Sequence, residues 1–209
     1  MNQMREINIL VGCEESGIVT KAFRDLGFNA FSCDLKPTSG NHPEWHLQMD
    51  VFEAVKLKKW DMGIFFPTCT YLTLTANRWI KDQPERLSGA LVGQARRDAR
   101  VEASKFFMDL YNCDIPRIAI ENPIGVMSTL FRKPDQVIQP WMFGHREVKG
   151  TCLWVRGLPK LTPTNIVQGR EAKMHMMGPS KDRTMLRSKT YPGIAKALAK
   201  QYTDYILNN

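Results

Sequence analysis

Two residues in this sequence stand where a nucleophile and a proton donor would be useful. Cys69 lies in Phe66-Pro67-Thr68-Cys69-Thr70-Tyr71-Leu72-Thr73, a polar stretch directly after the apolar run Met62-Gly63-Ile64-Phe65-Phe66. Glu121 lies in Ile120-Glu121-Asn122-Pro123, directly after another apolar run, Arg117-Ile118-Ala119-Ile120. A thiol, with an ordinary pKa of about 8.5, becomes a strong nucleophile once its surroundings favour the thiolate. A carboxylic acid emerging beside it can hold and protonate a ring nitrogen while the thiolate adds to a neighbouring carbon. For Cys69 alone, a cysteine that serves packing is the better reading; the matching strand end at Glu121 shifts the balance towards chemistry.

A second set of residues suits a cofactor. Gly12-Cys13-Glu14-Glu15-Ser16-Gly17 is a glycine turn before a helical pattern, Asp34 follows a second strand, and Asp50 comes sixteen residues later. An adenosyl group needs close backbone approach, a carboxylate for its ribose hydroxyls and a partner for the adenine edge. The turn is not Gly-x-Gly-x-x-Gly, and Glu14 and Glu15 would repel a pyrophosphate. A sulfonium cofactor with an amino-acid head has no phosphate, so S-adenosylmethionine fits better than NAD; a plain strand-to-helix turn is the competing reading.

The elements that must position these residues follow from hydrophobic period. Ile7 to Val11 reads as a strand, Ile18 to Leu26 as a helix ending at Gly27, Asn29 to Ser32 as a strand running to Asp34, and 37–45 as a loop. Met62 to Phe66 and Arg117 to Ile120 are further strands. Between them the longest helical pattern runs from about Pro84 to Tyr111. Val148 to Val155 predicts one more strand, antiparallel at an edge, and Pro192 opens a last helix with Ile194, Leu198, Tyr202 and Ile206 on one face. Nearly continuous apolar strands alternating with helices predict a parallel sheet covered on both faces. In such a sheet ligands sit beyond the carboxyl ends of the strands, where Gly12, Asp34, Asp50, Pro67 and Glu121 all fall.

The 209 residues are 43% hydrophobic and 24% charged, with 14 Gly and 12 Pro. That excludes a disordered, collagenous or coiled-coil chain, and the expectation is a single domain over residues 1–209. No run approaches the ~20 apolar residues of a membrane span, and Met1 to Leu10 is too polar for a signal core, so a cytoplasmic protein is expected. Five scattered cysteines without C-x-x-C spacing predict free thiols. His42 and His46 are four apart, but Pro43 works against the helix that would aim both at one metal, and no metal is expected. Residues 1–140 carry 17 Lys plus Arg against 17 Asp plus Glu; residues 141–209 carry 12 against 4. The net charge of +8 therefore lies in the basic C-terminal third, a field that attracts polyphosphate. Arg146, Arg183 and Arg187 are its candidates for phosphate or base contact, while a solubilising surface is the bland alternative.

Taken as an ordered set, the blocks resemble the cytosine-C5 DNA methyltransferases. Pro67-Thr68-Cys69 looks like the family's Pro-Pro-Cys loop, with Thr68 in place of the second proline, and Glu121-Asn122-Pro123 looks like its Glu-Asn-Val motif. The opening strand with Gly12, Ser16 and Gly17, then Asp34 and Asp50, is similar to its cofactor-binding motifs, and Arg187 to Ala195 to its C-terminal segment. The resemblance covers nearly all of residues 7–200 and is greatest to small phage and prophage-type members. It implies a Rossmann-like S-adenosylmethionine-dependent methyltransferase fold and methylation of cytosine C5 in DNA. Cys69 would add covalently to C6, Glu121 would hold N3 and the exocyclic amine, Asn122 would contact substrate, and Pro67 would border the cofactor. Only about sixty residues separate Glu121-Asn122-Pro123 from the C-terminal block, too few for the family's usual target-recognition domain. A recognition partner, a homodimer, a single-stranded target or a free pyrimidine nucleotide would each compensate. A binding protein on the same scaffold, without catalysis and engaging nucleic acid or a host protein, is the alternative.

Overall fold

The structure, a computed structural model, describes residues 6–172 and 189–209. Among the described residues seven strands form one sheet: β1 (Asn8–Gly12), β2 (Asn29–Asp34), β3 (His46–Gln48), β4 (Met62–Phe65), β5 (Ile118–Pro123), β6 (Gln136–Ile138) and β7 (Thr151–Arg156). Their order is β3-β2-β1-β4-β5-β7-β6. The first five run parallel; β7 is antiparallel to β5, and β6 to β7. The helices are α1 (Ile18–Arg24), α2 (Val51–Lys56), α3 (Gly93–Asn112), α4 (Met127–Leu130) and α5 (Pro192–Leu207).

Alternation along each strand distributes side chains to two cores. From β1, Ile9 and Val11 join Val19 and Phe23 of α1 and Ile194, Leu198 and Tyr202 of α5. Leu10, between them, joins Val51 and Ala54 of α2 and Phe107 and Leu110 of α3. β5 divides the same way, Ala119 to the first cluster and Ile118 and Ile120 to the second. With helices over both faces, the strand positions in the middle of the sheet are mostly buried, which is why these strands read as apolar runs without alternation. This is the mixed, mostly parallel α/β architecture that the sequence predicts.

Two predicted elements need correction. The helix expected from about Pro84 begins only at Gly93: the left-handed backbone at Gly89 (φ 68°) interrupts a right-handed helix, and Gly93 (φ 56°), also left-handed, stands at the very start of α3, before regular helical backbone sets in. Ahead of it, residues Leu74–Trp79 form a 3-10 helix that the sequence pattern did not predict. The expected edge strand is antiparallel but interior: β6 lies outside it, with Ile138 opposite Thr151. Three residues are too few to show a period. No helix among the described residues is long and apolar enough to cross a membrane.

Gly12, expected to let a cofactor approach the backbone, is needed for packing. A Cβ there would come within 2.5 Å of the Phe65 ring and 2.7 Å of Val51. Phe65 is fully buried and has nowhere to move. Gly12→Ala is therefore expected to lose about 1–3 kcal/mol in urea unfolding; an unchanged midpoint would show that the ring yields.

Candidate active site

The parallel register of β4 and β5 sets Phe65 opposite Ile120, so the two strands end side by side. Beyond those ends the chain is cross-tied. Asn122 is 2% exposed, and its Nδ2 donates to the Pro67 carbonyl at 2.8 Å. Thr73 bridges antiparallel to Gly125, and the Val126 amide donates to the Leu72 carbonyl at 2.8 Å. Gly125 is required there, because a Cβ would overlap the Leu72 carbonyl. Cys69 heads the turn between these ties, its carbonyl accepting from the amides of Leu72 (2.9 Å) and Thr73 (3.1 Å), and its side chain is partly exposed. The structure thus brings the Cys69 turn and the Glu121 strand end together. Asn122, expected among the substrate contacts, instead faces inward and joins them.

Glu121 is half-buried at the end of β5. Burial pushes its carboxyl above the usual range, opposed by the Lys149 ammonium and the Thr151 hydroxyl. The neighbouring Cys152 thiol is pushed up to about 11 by burial and by Glu121. Lys149 and Thr151 come from β7 and the residues before it, and sequence reading did not single them out. The antiparallel register pairs Glu121 with Leu153, which puts Thr151 on the same face as Glu121; the pairing partner of β5 was the signal needed.

Behind the Cys69 turn stands the first half of α3. Arg96 donates to the Thr70 carbonyl at 3.0 Å, Arg97 to that of Ile80 at 2.8 Å and Arg100 to that of Tyr71 at 2.8 Å. These arginines also escaped the sequence reading. Their 96, 97, 100 spacing marks one helix face.

At the other end of the site, the loop after β1 is shaped by Glu14. Its carboxylate accepts from the Val19 amide (2.6 Å), the Thr20 amide (3.2 Å) and the Thr20 hydroxyl (2.7 Å). An internal carboxylate therefore fills the start of α1, where a nucleotide phosphate would otherwise bind. Burial pushes the Glu14 carboxyl up, and those donors oppose it. Cys13 takes φ 58°, uncommon for a residue with a side chain. Its thiol is pushed well up by burial first, then by the charges of Asp34, Cys33 and Asp50, so both predicted cofactor acids are felt there. Asp34 accepts from the Lys36 amide at 3.0 Å, and Asp50 caps α2 by accepting from the Phe52 amide at 2.8 Å. Each carboxylate uses one oxygen in these bonds.

Ser16 and Gly17 line a cleft of about 220 Å³ with Thr20, Ser32, Thr38 and Trp45. Gly12, Asp34, Asp50 and Pro67 are outside its lining. It lies towards the β2 side of the sheet, away from the ends of β4 and β5. Arg146 is exposed and rests near Gly169. Arg183 and Arg187 lie outside the described residues. His42 stacks on Trp45 at 3.7 Å, whereas His46 meets Ser32 and the Lys36 carbonyl, so the two imidazoles have separate partners.

No family model and no curated protein matches the chain. Among solved structures it is similar to a prophage-encoded DNA modification methyltransferase from E. coli, at 12% identity and a TM-score of 0.48, over 83% of this chain and 55% of that one. It is similar to a DNMT2 variant from Spodoptera frugiperda, at 12% identity and 0.42, over 85% and 61%. It is also similar to the 16S rRNA methylase RmtB, at 14% identity and 0.34, over 71% and 55%. The chain spans little more than half the length of these structures.

Because the folded state raises the Glu121 carboxyl, it favours the bound proton, and the residue destabilises the fold once pH rises above the ordinary value of 4.5. Glu121→Gln should accordingly raise the thermal midpoint by a few degrees at pH near 8. The gain should shrink on acidification and vanish below 4.5, where both states are protonated. Calorimetry across that range checks it; a gain independent of pH would contradict the assigned cause.

Proposed function

We propose that this chain is an S-adenosylmethionine-dependent methyltransferase that methylates C5 of cytosine in DNA through a covalent bond between Cys69 and C6. The observation that supports it most is the joining of the Cys69 turn to the Glu121 strand end through Asn122 and Pro67.

The residues fit the cofactor. Glu14 fills the helix start that a phosphate would take, which suits a phosphate-free group, and Asp34 and Asp50, whose charges both act on the Cys13 thiol, each keep an oxygen to meet hydroxyls and an amine. Ser16 and Gly17 border the same loop. When bound, S-adenosylmethionine would supply an electrophilic methyl group to the activated C5 carbon.

The chain's own residues do the rest. Cys69 loses its proton, and the thiolate adds to C6. The ring electrons move towards N3, where Glu121 donates the proton that burial helps it keep. The ring becomes an enamine nucleophilic at C5. After C5 is alkylated its proton passes to solvent, the C5–C6 double bond re-forms as the C6–S bond breaks and the thiolate departs, and the N3 proton returns to Glu121. Asn122 and Gly125 hold the two loops in register. A duplex substrate would have to present a flipped base, at a few kcal/mol, and the basic residues of 141–209, with Arg146, Arg183 and Arg187 as candidates, favour approach of a polyanion.

Cys69→Ser should bring labelled methyl incorporation into DNA below detection while titration with S-adenosylhomocysteine still shows binding. Glu121→Gln should lower the rate by roughly 10²–10⁴. An oligonucleotide carrying 5-fluorocytosine should form a cofactor-dependent covalent adduct at Cys69, since fluorine cannot leave as the proton does. Full activity in Cys69→Ser would remove the covalent mechanism. Binding of the oligonucleotide without any adduct would make the chain a nucleic-acid-binding protein.

A further inference from the structure

Two arginines of α3 lie against the Cys69 turn without a carboxylate partner among the described residues. Arg96 is 4% exposed; besides Thr70 it donates to the Leu91 carbonyl at 3.2 Å, its guanidinium lies 5.2 Å from the Tyr71 ring centroid, and its Nε is buried without an acceptor. Arg100 divides its donors between the Tyr71 carbonyl and Asn77 Oδ1, each at 2.8 Å. Neutral acceptors satisfy hydrogen bonds but leave the charge in place, and a buried cation without a counter-charge is costly. The two also oppose each other, since burial and Arg96 both push the Arg100 guanidinium down. Their shared target, the carbonyls of the two residues after Cys69, says what the arrangement serves.

We propose that Arg96 and Arg100 are positioning residues for Cys69: they fix the Thr70 and Tyr71 carbonyls and hold positive charge behind the turn, favouring the thiolate at neutral pH. This rests on the reading of Cys69 as the nucleophile. A thiolate would supply the counter-charge that the pair otherwise lacks, and its place in the turn would be set by the same donors. Thr70 and Tyr71 are held from α3, while Pro67 and Leu72 are held from the segment after Glu121, so the turn is gripped from two sides.

The test needs neither cofactor nor nucleic acid. Iodoacetamide alkylates the thiolate, a carbon–sulfur bond forming as iodide leaves after the thiol proton has gone to solvent. Peptide-resolved mass spectrometry then follows Cys69 apart from the other four cysteines. In the wild-type chain the pH midpoint of labelling should fall below the ordinary thiol value of about 8.5. Arg100→Met should slow labelling about tenfold at neutral pH and raise the midpoint by about one unit. Arg100→Lys, which keeps the charge, should restore most of it. At high pH the variants should label as fast as wild type, a result that mere loosening of the turn would not give. A wild-type midpoint at or above the ordinary value overturns the proposal even if the variants fail to fold, as does an unchanged midpoint in folded Arg100→Met. A lowered midpoint without methyl transfer by the wild type would sink the methyltransferase reading and leave the arginine coupling standing.

Discussion

Beyond Phe65 and Ile120 the β4–β5 ladder stops, and a buried hydrogen bond is the first of the ties that keep the two segments side by side. Pro67 has no N–H to offer its neighbour, so ladder pairing cannot continue through it, but its carbonyl still needs a donor. The Asn122 amide provides it at 2.8 Å. An aspartate there would set a carboxylate against the carbonyl, and an alanine would leave a buried acceptor unsatisfied at about 1–3 kcal/mol. Every statement about the site inherits this constraint, because Cys69 lies two residues past Pro67 and Glu121 one residue before Asn122.

Glu14, Glu121 and Arg96 each solve the problem of a polar group held away from water in a different way. Glu14 gathers three donors from the first turn of α1, which oppose the upward push of burial without overcoming it and occupy that helix end. Glu121 meets only partial compensation from Lys149 and Thr151, so burial wins and the proton is favoured. Arg96 cannot give up its charge, and it turns its Nη donors to backbone carbonyls. Both carboxyls are pushed up by burial, and they differ in what opposes it, backbone and hydroxyl donors at Glu14 and an ammonium and a hydroxyl at Glu121.

The strands that carry the site were legible because they are buried on both faces, which makes an apolar run its own signature. The strand-end acids Asp34, Asp50 and Glu121 were legible for the related reason that a parallel sheet must turn polar where it ends. What escaped depends on contacts between elements. Hydrophobic period does not say that Asn122 turns in towards Pro67, nor that the Gly12 position is filled by Phe65. Arg96 and Arg100 belong to a helix face that reads as solvent-exposed until the 69–73 turn is laid against it. The left-handed backbone at Gly89 and Gly93 could be suspected from glycine but not assigned, since glycine is also tolerated within helices. β6 is held by its pairing with β7, not by a pattern of its own.

The basic C-terminal third shows a further gap between counting charges and placing them. Arg156 donates to the carbonyls of Cys113 and Ile115, Arg170 lies 4.0 Å from the Trp141 ring centroid while donating to Val167, and Lys200 is paired with Asp204. Of these three only the Lys200 charge is cancelled, because carbonyls and rings satisfy a guanidinium without neutralising it. Side chains tied in this way are poorly placed to grip a ligand, yet they still contribute to the field around the protein. Steering a polyanion and contacting it are thus separable tasks. The net charge set by composition can serve the first, while untethered side chains, Arg146 among the described ones, are left for the second.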